Sequence, residues 1–122
     1  GVRIDNAQGI VERVIPPATR EEQRAALRAA AQELHRWGLV GVHSAGERRP
    51  VIELMEEMAG RGELELRTYV MIADDSADVA HYLQRGPRSA LADGRLWVRA
   101  IKLYADGALG SRGAALLEPY AD

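Results

Sequence analysis

Cysteine and phenylalanine are both absent from the 122-residue sequence. Without cysteine there is no disulfide and no thiolate metal site, an absence that says little about compartment. Without phenylalanine, and with alanine abundant, the core must rest on Leu, Val, Ile and Ala together with two Trp. No Lys/Arg block stands alone, since bases and acids are interleaved and the net charge is -2. That removes the electrostatic case for nucleic acid or an anionic membrane as a partner. No apolar run approaches a membrane span and no signal peptide is visible, so a cytoplasmic protein is the expectation. Internal repeats and low-complexity segments are missing as well. The chain opens on Gly1 rather than Met and closes on Glu118-Pro119-Tyr120-Ala121-Asp122, from which an excised segment is expected.

What is present fits one small globular domain, with an apolar share of 47%. Residues 1–18 read as an extended lead-in closed by Pro16-Pro17, which continues neither a helix nor a central strand. Residues 19–122 read as a single α/β segment. Thr19 and Glu22 form a T-x-x-E capping box, and Leu27, Ala30, Ala31 and Leu34 supply an apolar stripe up to a stop at Gly38. Leu39 to Ser44 reads as a buried strand. Pro50 opens a second helix with Val51, Leu54, Met55 and Met58 on one face, ending at Gly60 or Gly62. Leu64 to Ile72 is a second strand. Asp74-Asp75-Ser76 caps a third helix through about Leu83, which Gly86-Pro87 breaks. Leu96 to Leu103 is a third strand, followed by the glycine-rich segment Asp106 to Gly113.

Strand, helix, strand, helix, strand is the alternation that builds a parallel sheet covered by helices. Three such units do not close a barrel, which needs eight strands and about 250 residues. Along the third strand, period two separates Leu96, Val98, Ala100 and Lys102 from Trp97, Arg99, Ile101 and Leu103. If the larger apolar set packs on helices, Lys102 points to the opposite face at the carboxyl end of its strand, where α/β proteins build sites. Arg99 fits that assignment poorly. On spacing alone, Lys102 is either a strand-end lysine paired with a carboxylate or a functional amine.

The segment from Lys102-Leu103-Tyr104-Ala105-Asp106-Gly107-Ala108-Leu109-Gly110-Ser111-Arg112-Gly113 through Ala114-Ala115-Leu116-Leu117-Glu118-Pro119-Tyr120 resembles the signature of amidohydrolase family 3. That family includes N-substituted formamide deformylases. Gly38-Leu39-Val40-Gly41-Val42-His43-Ser44-Ala45-Gly46 is similar to a second family segment, G-[IL]-T-S-V-H-D-A-G. The lead-in Gly1-Val2-Arg3-Ile4-Asp5-Asn6-Ala7 and Leu66-Arg67 also fit. The resemblance implies a fragment of a (β/α)8 TIM barrel, about three βα units around strands two to four of the parent. It implies a metal-dependent hydrolase acting on C–N bonds of an amide, formamide or cyclic imide substrate. The implied cofactor is a divalent metal, zinc by expectation, in the full-length parent. Lys102 would be a carboxylated lysine bridging two metals, because a neutral amine adds carbon dioxide to give an anionic, two-oxygen ligand. His43, Asp106, Ser111 and Arg112 are the candidates for contacting substrate or supporting the site. Ser44 and Val40 depart from the family's Asp and Thr, which puts the role of that turn in question.

As an isolated histidine, His43 also reads as a hydrogen-bonded structural residue, and the Asp106 to Arg112 loop also reads as a structural turn with an exposed arginine. Its glycine spacing matches neither a P-loop nor a dinucleotide fingerprint. His35 in a last helical turn suits the helix dipole. His81, and the Glu53, Glu56 and Glu57 cluster, are expected on solvated helix faces. The resemblance implies further ligands, an H-x-H pair with two more histidines and an aspartate. The chain has only three histidines and no H-x-H. The isolated chain is therefore expected to hold no metal and to be inactive, and its open sheet edges are expected to make it a homo-oligomer. The alternative is a non-catalytic α/β module that self-associates or binds a protein partner.

Overall fold

The computed structural model describes residues 9–121. The first eight residues of the expected lead-in, including those that carry its resemblance, lie outside them. In chain order the elements are α1 (Gly9–Glu12), α2 (Arg20–Arg36), β1 (Gly41–Glu47), α3 (Arg49–Gly60), β2 (Arg67–Ile72), α4 (Ser76–Arg85), β3 (Arg88–Ala90), α5 (Leu91–Gly94) and β4 (Leu96–Ile101). A 3-10 turn follows at Leu109–Ser111. The chain forms two units, Ala18–Leu103 and a second composed of Gly1–Pro17 with Tyr104–Asp122. The single segment expected over 19–122 thus divides after Leu103, and the expected extended lead-in contains the helical turn α1.

Within Ala18–Leu103 the sheet order is β1-β2-β4-β3. β1 pairs with β2 and β2 with β4 in parallel, whereas β3 is antiparallel to β4 through Arg88 and Val98. This mixed α/β arrangement is compatible with a piece of a TIM barrel. The expected three parallel strands are present, and β3 is an addition. Three residues, Arg-Ser-Ala, carry no periodicity from which a strand could be read.

Local chemistry explains the helix ends. The capping box closes as expected: the Glu22 N–H donates to Thr19 Oγ1 at 3.2 Å and the Thr19 N–H donates to Glu22 Oε2 at 2.8 Å. At the other end of α2, Gly38 has φ of +76°. The Gly38 N–H donates to His35 O at 2.9 Å and the Leu39 N–H to Leu34 O at 3.0 Å, the paired bonds of a Schellman motif. Those bonds tie Leu39 to the helix, which is why β1 begins at Gly41 and not at Leu39. Leu39 and Val40 are exposed, and β1 instead runs on to Glu47. Asp75 caps α4, its Oδ1 accepting from the N–H groups of Ala77 and Asp78.

The core lies between the sheet and α3 and α4. Ile52, Leu54, Met55, Met58 and Ala59 of α3 meet Val70, Ile72, Leu96, Val98 and Tyr82. Ile52, Leu54, Val70 and Leu96 are wholly buried, each worth roughly 1.5–3 kcal/mol relative to exposure. The inward face of α2 is Arg24, Leu27, Ala31 and Leu34, with Ala30 exposed. Arg24 is buried because it bonds Glu57 at 2.7 Å and Glu63 at 3.1 Å. Glu57 also receives Arg20 at 2.6 Å and Arg61 at 2.9 Å. The expectation of a solvated Glu53, Glu56 and Glu57 face is therefore corrected: Glu57 is the hub joining α2 to α3. His81 is corrected likewise, since it is half-buried and its Nε2 is enclosed.

Two bulges set the directions of the strand side chains. Pairing of β1 with β2 slips between Ala45 and Glu47, leaving Gly46 extra. Pairing of β2 with β4 slips between Val70 and Met71, so that Val70 faces Val98 and Met71 faces Ala100, leaving Arg99 extra. A bulge residue interrupts the two-residue period. Leu96 and Val98 consequently face the helices, the reverse of the parity expected from sequence. Beyond Arg99 the parity changes: Ile101 shares the helix side with Ile72, and Ala100 and Lys102 take the opposite, open face. The expected direction of Lys102 holds, but for a different reason. Arg99 is the residue that no regular alternation could place.

Candidate functional site

The open face of the sheet is built in layers. The first layer is Gly41 and Arg67, the second His43, Tyr69 and Trp97, and the third Ala45, Met71 and Ala100. Lys102 follows at the carboxyl end. Its N–H donates to Ile72 O at 2.8 Å, extending the β2–β4 ladder one residue past the strand and anchoring the Lys102 backbone. The side chain is half-buried, and its Cγ lies 3.7 Å from the point where a Cβ on Gly46 would stand. Gly46 thus borders the stem of the lysine, and Ala100 precedes it on the same face of β4.

Lys102 is the one lysine among sixteen Lys and Arg residues in the sequence. The distinction is chemical. A guanidinium stays charged in proteins, whereas an amine can lose its proton and become a nucleophile or a ligand precursor. The singular lysine is a signal present in the composition that motif spacing alone did not use.

His43 is on the open face as expected, but one full layer separates its layer from Lys102. Its ring stacks on Tyr69 with centroids 4.9 Å apart and planes at 23°. With Gly41, Arg67 and Trp97 these rings line a depression of about 330 Å³ near the amino ends of the strands. Sites of parallel α/β folds lie at the opposite end. His43 thus lies away from the strand ends at which such sites are built. Ser44 faces the helix side, where its hydroxyl donates to Glu47 Oε1 at 2.5 Å.

Asp106, Ser111 and Arg112 belong to the other unit, and there they build a closed loop. Asp106 Oδ2 accepts the Ala115 N–H at 3.1 Å, and Tyr120 Oη accepts the Ala114 N–H at 3.1 Å. The Ser111 hydroxyl donates to Ala108 O at 3.3 Å. Arg112 is exposed and left-handed, with φ of +60°. The sequence-predicted residues thus fall into three places: Lys102 at one strand end, His43 deeper on the same face, and the loop trio bonded to the backbone of Ala115, Ala108 and Leu109.

A metal site needs several converging donors. Among the described residues no group of three or more His, Cys, Asp or Glu side chains is arranged to hold an ion. Lys102 has the chemistry to contribute a ligand once carboxylated, and the described residues supply at most that part of a donor set. No helix among them is long and apolar enough to cross a membrane.

A mixed α/β sheet with Lys102 at a strand's carboxyl end is compatible with a piece of a TIM barrel. The particular family follows from sequence comparison: the profile of the Amidohydrolase family matches residues 1–122, and the chain belongs to that family. It is also 30% identical over 127 residues to a Bacillus subtilis (strain 168) protein named "Putative amidohydrolase YtcJ". That alignment takes in 100% of this chain and 23% of the relative, so the chain spans about a quarter of the length of the curated protein it matches. No solved structure gives a significant match.

Proposed function

We propose that the full-length protein containing this chain is a metal-dependent hydrolase of C–N bonds in an amide, formamide or cyclic imide. The observation that carries the reading is the placement of the sole lysine, Lys102, at the carboxyl end of β4 on the open face. Membership of the Amidohydrolase family supports the reaction class. In this reading Lys102, once carboxylated with loss of a proton, would be one of the residues that hold the metal. A bound divalent metal, zinc in this proposal, would supply an activated water and polarisation of the substrate carbonyl. The chain's own part is to present Lys102 on a hydrogen-bonded strand end, with its stem beside Gly46. Asp106 shapes the loop that carries Ser111 and Arg112, whose hydroxyl and guanidinium suit a polar substrate. The remaining ligands come from other parts of the full-length protein, so the 122-residue chain alone is inactive.

The test is metal content and amidase activity of the full-length protein beside its Lys102→Ala variant. Loss of both in the variant, with folding retained, is the expected result. A variant that keeps its metal and its activity makes Lys102 a structural residue and overturns the proposal.

A further inference from the structure

β1 and β4 are not neighbours in the sheet, because β2 lies between them. Yet Lys102 of β4 and Gly46 of β1 approach closely: a Cβ on Gly46 would stand 3.7 Å from Lys102 Cγ. Adjacent strands are about 4.8 Å apart, so a contact across two spacings needs a special cause. Two features of the chain supply it. β2 ends at Ile72, and Ala73, which continues its ladder beside Lys102, brings only a methyl group. Gly46 is the extra residue of the β1 bulge, with φ of +113°, and a bulge bends its strand and increases the local twist. That backbone conformation is one that only glycine adopts without strain. The side chains flanking the contact are Ala45 and Ala100, the smallest that a non-glycine residue can offer.

We propose that Gly46 is a positioning residue for Lys102. The β1 bulge offers a strip of bare backbone over which the aliphatic stem of the lysine lies, and the strip sets the direction in which the amine projects. A methyl group at position 46 would make only ordinary contact with that stem, but its strain at this φ would pull the bulge toward a regular strand. That shift of the backbone under the stem turns the amine away. The bulge at Arg99 decides which face Lys102 occupies, and the bulge at Gly46 decides where on that face its Nζ points. This inference rests on the reading of Lys102 as a functional group, and its test separates the two.

In the 122-residue chain, Lys102 carries the only side-chain amine. Its reaction with cyanate can be followed by mass spectrometry against the N-terminal amine as an internal reference. The expected result for Gly46→Ala, with far-UV circular dichroism unchanged, is a change of about threefold or more in the Lys102 rate relative to that of the N-terminal amine. An unchanged rate in a folded variant overturns the proposal. Should Gly46→Ala fail to fold, the unaltered chain decides: a nuclear Overhauser contact between the Gly46 α-protons and the Lys102 γ-protons is expected, and its absence overturns the proposal. In the full-length protein, Gly46→Ala is expected to lose metal, as Lys102→Ala does, and to lower kcat by roughly 100-fold with KM little changed. Metal retained by Gly46→Ala and lost by Lys102→Ala overturns the role of Gly46 alone. Metal retained by both overturns Lys102 as a ligand, and with it the purpose assigned to Gly46.

Discussion

A Cβ on Gly107 would stand 2.2 Å from the carbonyl oxygen of Gly113, 2.6 Å from its carbonyl carbon and 2.9 Å from its Cα. All three are backbone atoms, so no side-chain rotation could relieve the overlap. The loop that Asp106 fastens at Ala115 is thus closed at its neck by two glycines in contact, and its tip carries Ser111 and Arg112. Gly107→Ala must open the neck, an overpacking cost of about 1–3 kcal/mol. Trypsin reports this directly, since Arg112 is exposed in the loop. Cleavage after Arg112 is expected to accelerate by about tenfold or more in the variant, with cleavage at arginines of the Ala18–Leu103 unit unchanged. Equal rates at Arg112 would show that the neck is not closed by this contact. The bulged Gly46 makes a related point: there the missing side chain admits the stem of a lysine rather than another backbone.

Among the elements, α2 is the one whose attachment is chiefly electrostatic. Arg20, Arg24 and Arg61 converge on Glu57, and Arg24 and Arg28 on Glu63. The hydrogen bonds from Arg20 and Arg24 hold the Glu57 carboxyl below its ordinary 4.5, at about 2. Because the folded-state pKa is the lower one, the stabilisation is present above pH 4.5 and is lost as pH falls toward 2. Glu22 and Asp78 shift in the same direction, through Thr19 and through Arg48 respectively. A Glu57→Gln variant isolates the contribution of one carboxylate. Its urea midpoint is expected to be lower than that of the unaltered chain at neutral pH, and the gap is expected to close between about pH 4.5 and 2. A gap independent of pH would mean that Glu57 acts through packing and not through charge. High salt should narrow the gap at neutral pH as well, because these pairs are partly exposed.

Among the described residues, the sheet of the Ala18–Leu103 unit has β1 as one edge strand and only the three-residue β3 as the other. Beside β4, an apolar groove of about 310 Å³ is lined by Ile72, Val79, Tyr82, Leu83, Val98 and Ile101. Leu83 and Ile101 stand at its exposed margin. Unpaired edges and open apolar grooves favour association. We propose that the 122-residue chain self-associates through these surfaces. Light scattering across a concentration series is expected to show a mass rising above that of the 13.4 kDa chain. A constant monomer mass over the series would exclude it.

Local sequence determined most of the elements. The Thr19 capping box, the Gly38 stop, the Pro50 start and the Asp75 cap act within a few residues, so their effects can be read from neighbouring letters. The family, too, was legible, because its dense segments lie in continuous runs from Gly38 to Gly46 and from Lys102 to Tyr120. Parity along β4 was not legible. An extra residue at Arg99 exists only as a relation between β4 and its partner β2, and period two read on one strand alone cannot register it. The burial of Arg24 and the engagement of Glu57 depend on acids and bases 33 to 39 residues apart being brought together by α2 and α3. His43 and Lys102 share a face, but their separation by the Ala45, Met71 and Ala100 layer is a matter of register. Short-range hydrogen bonding and side-chain chemistry are encoded locally, whereas register, bulges and the meeting of distant charges arise only when strands and helices pack.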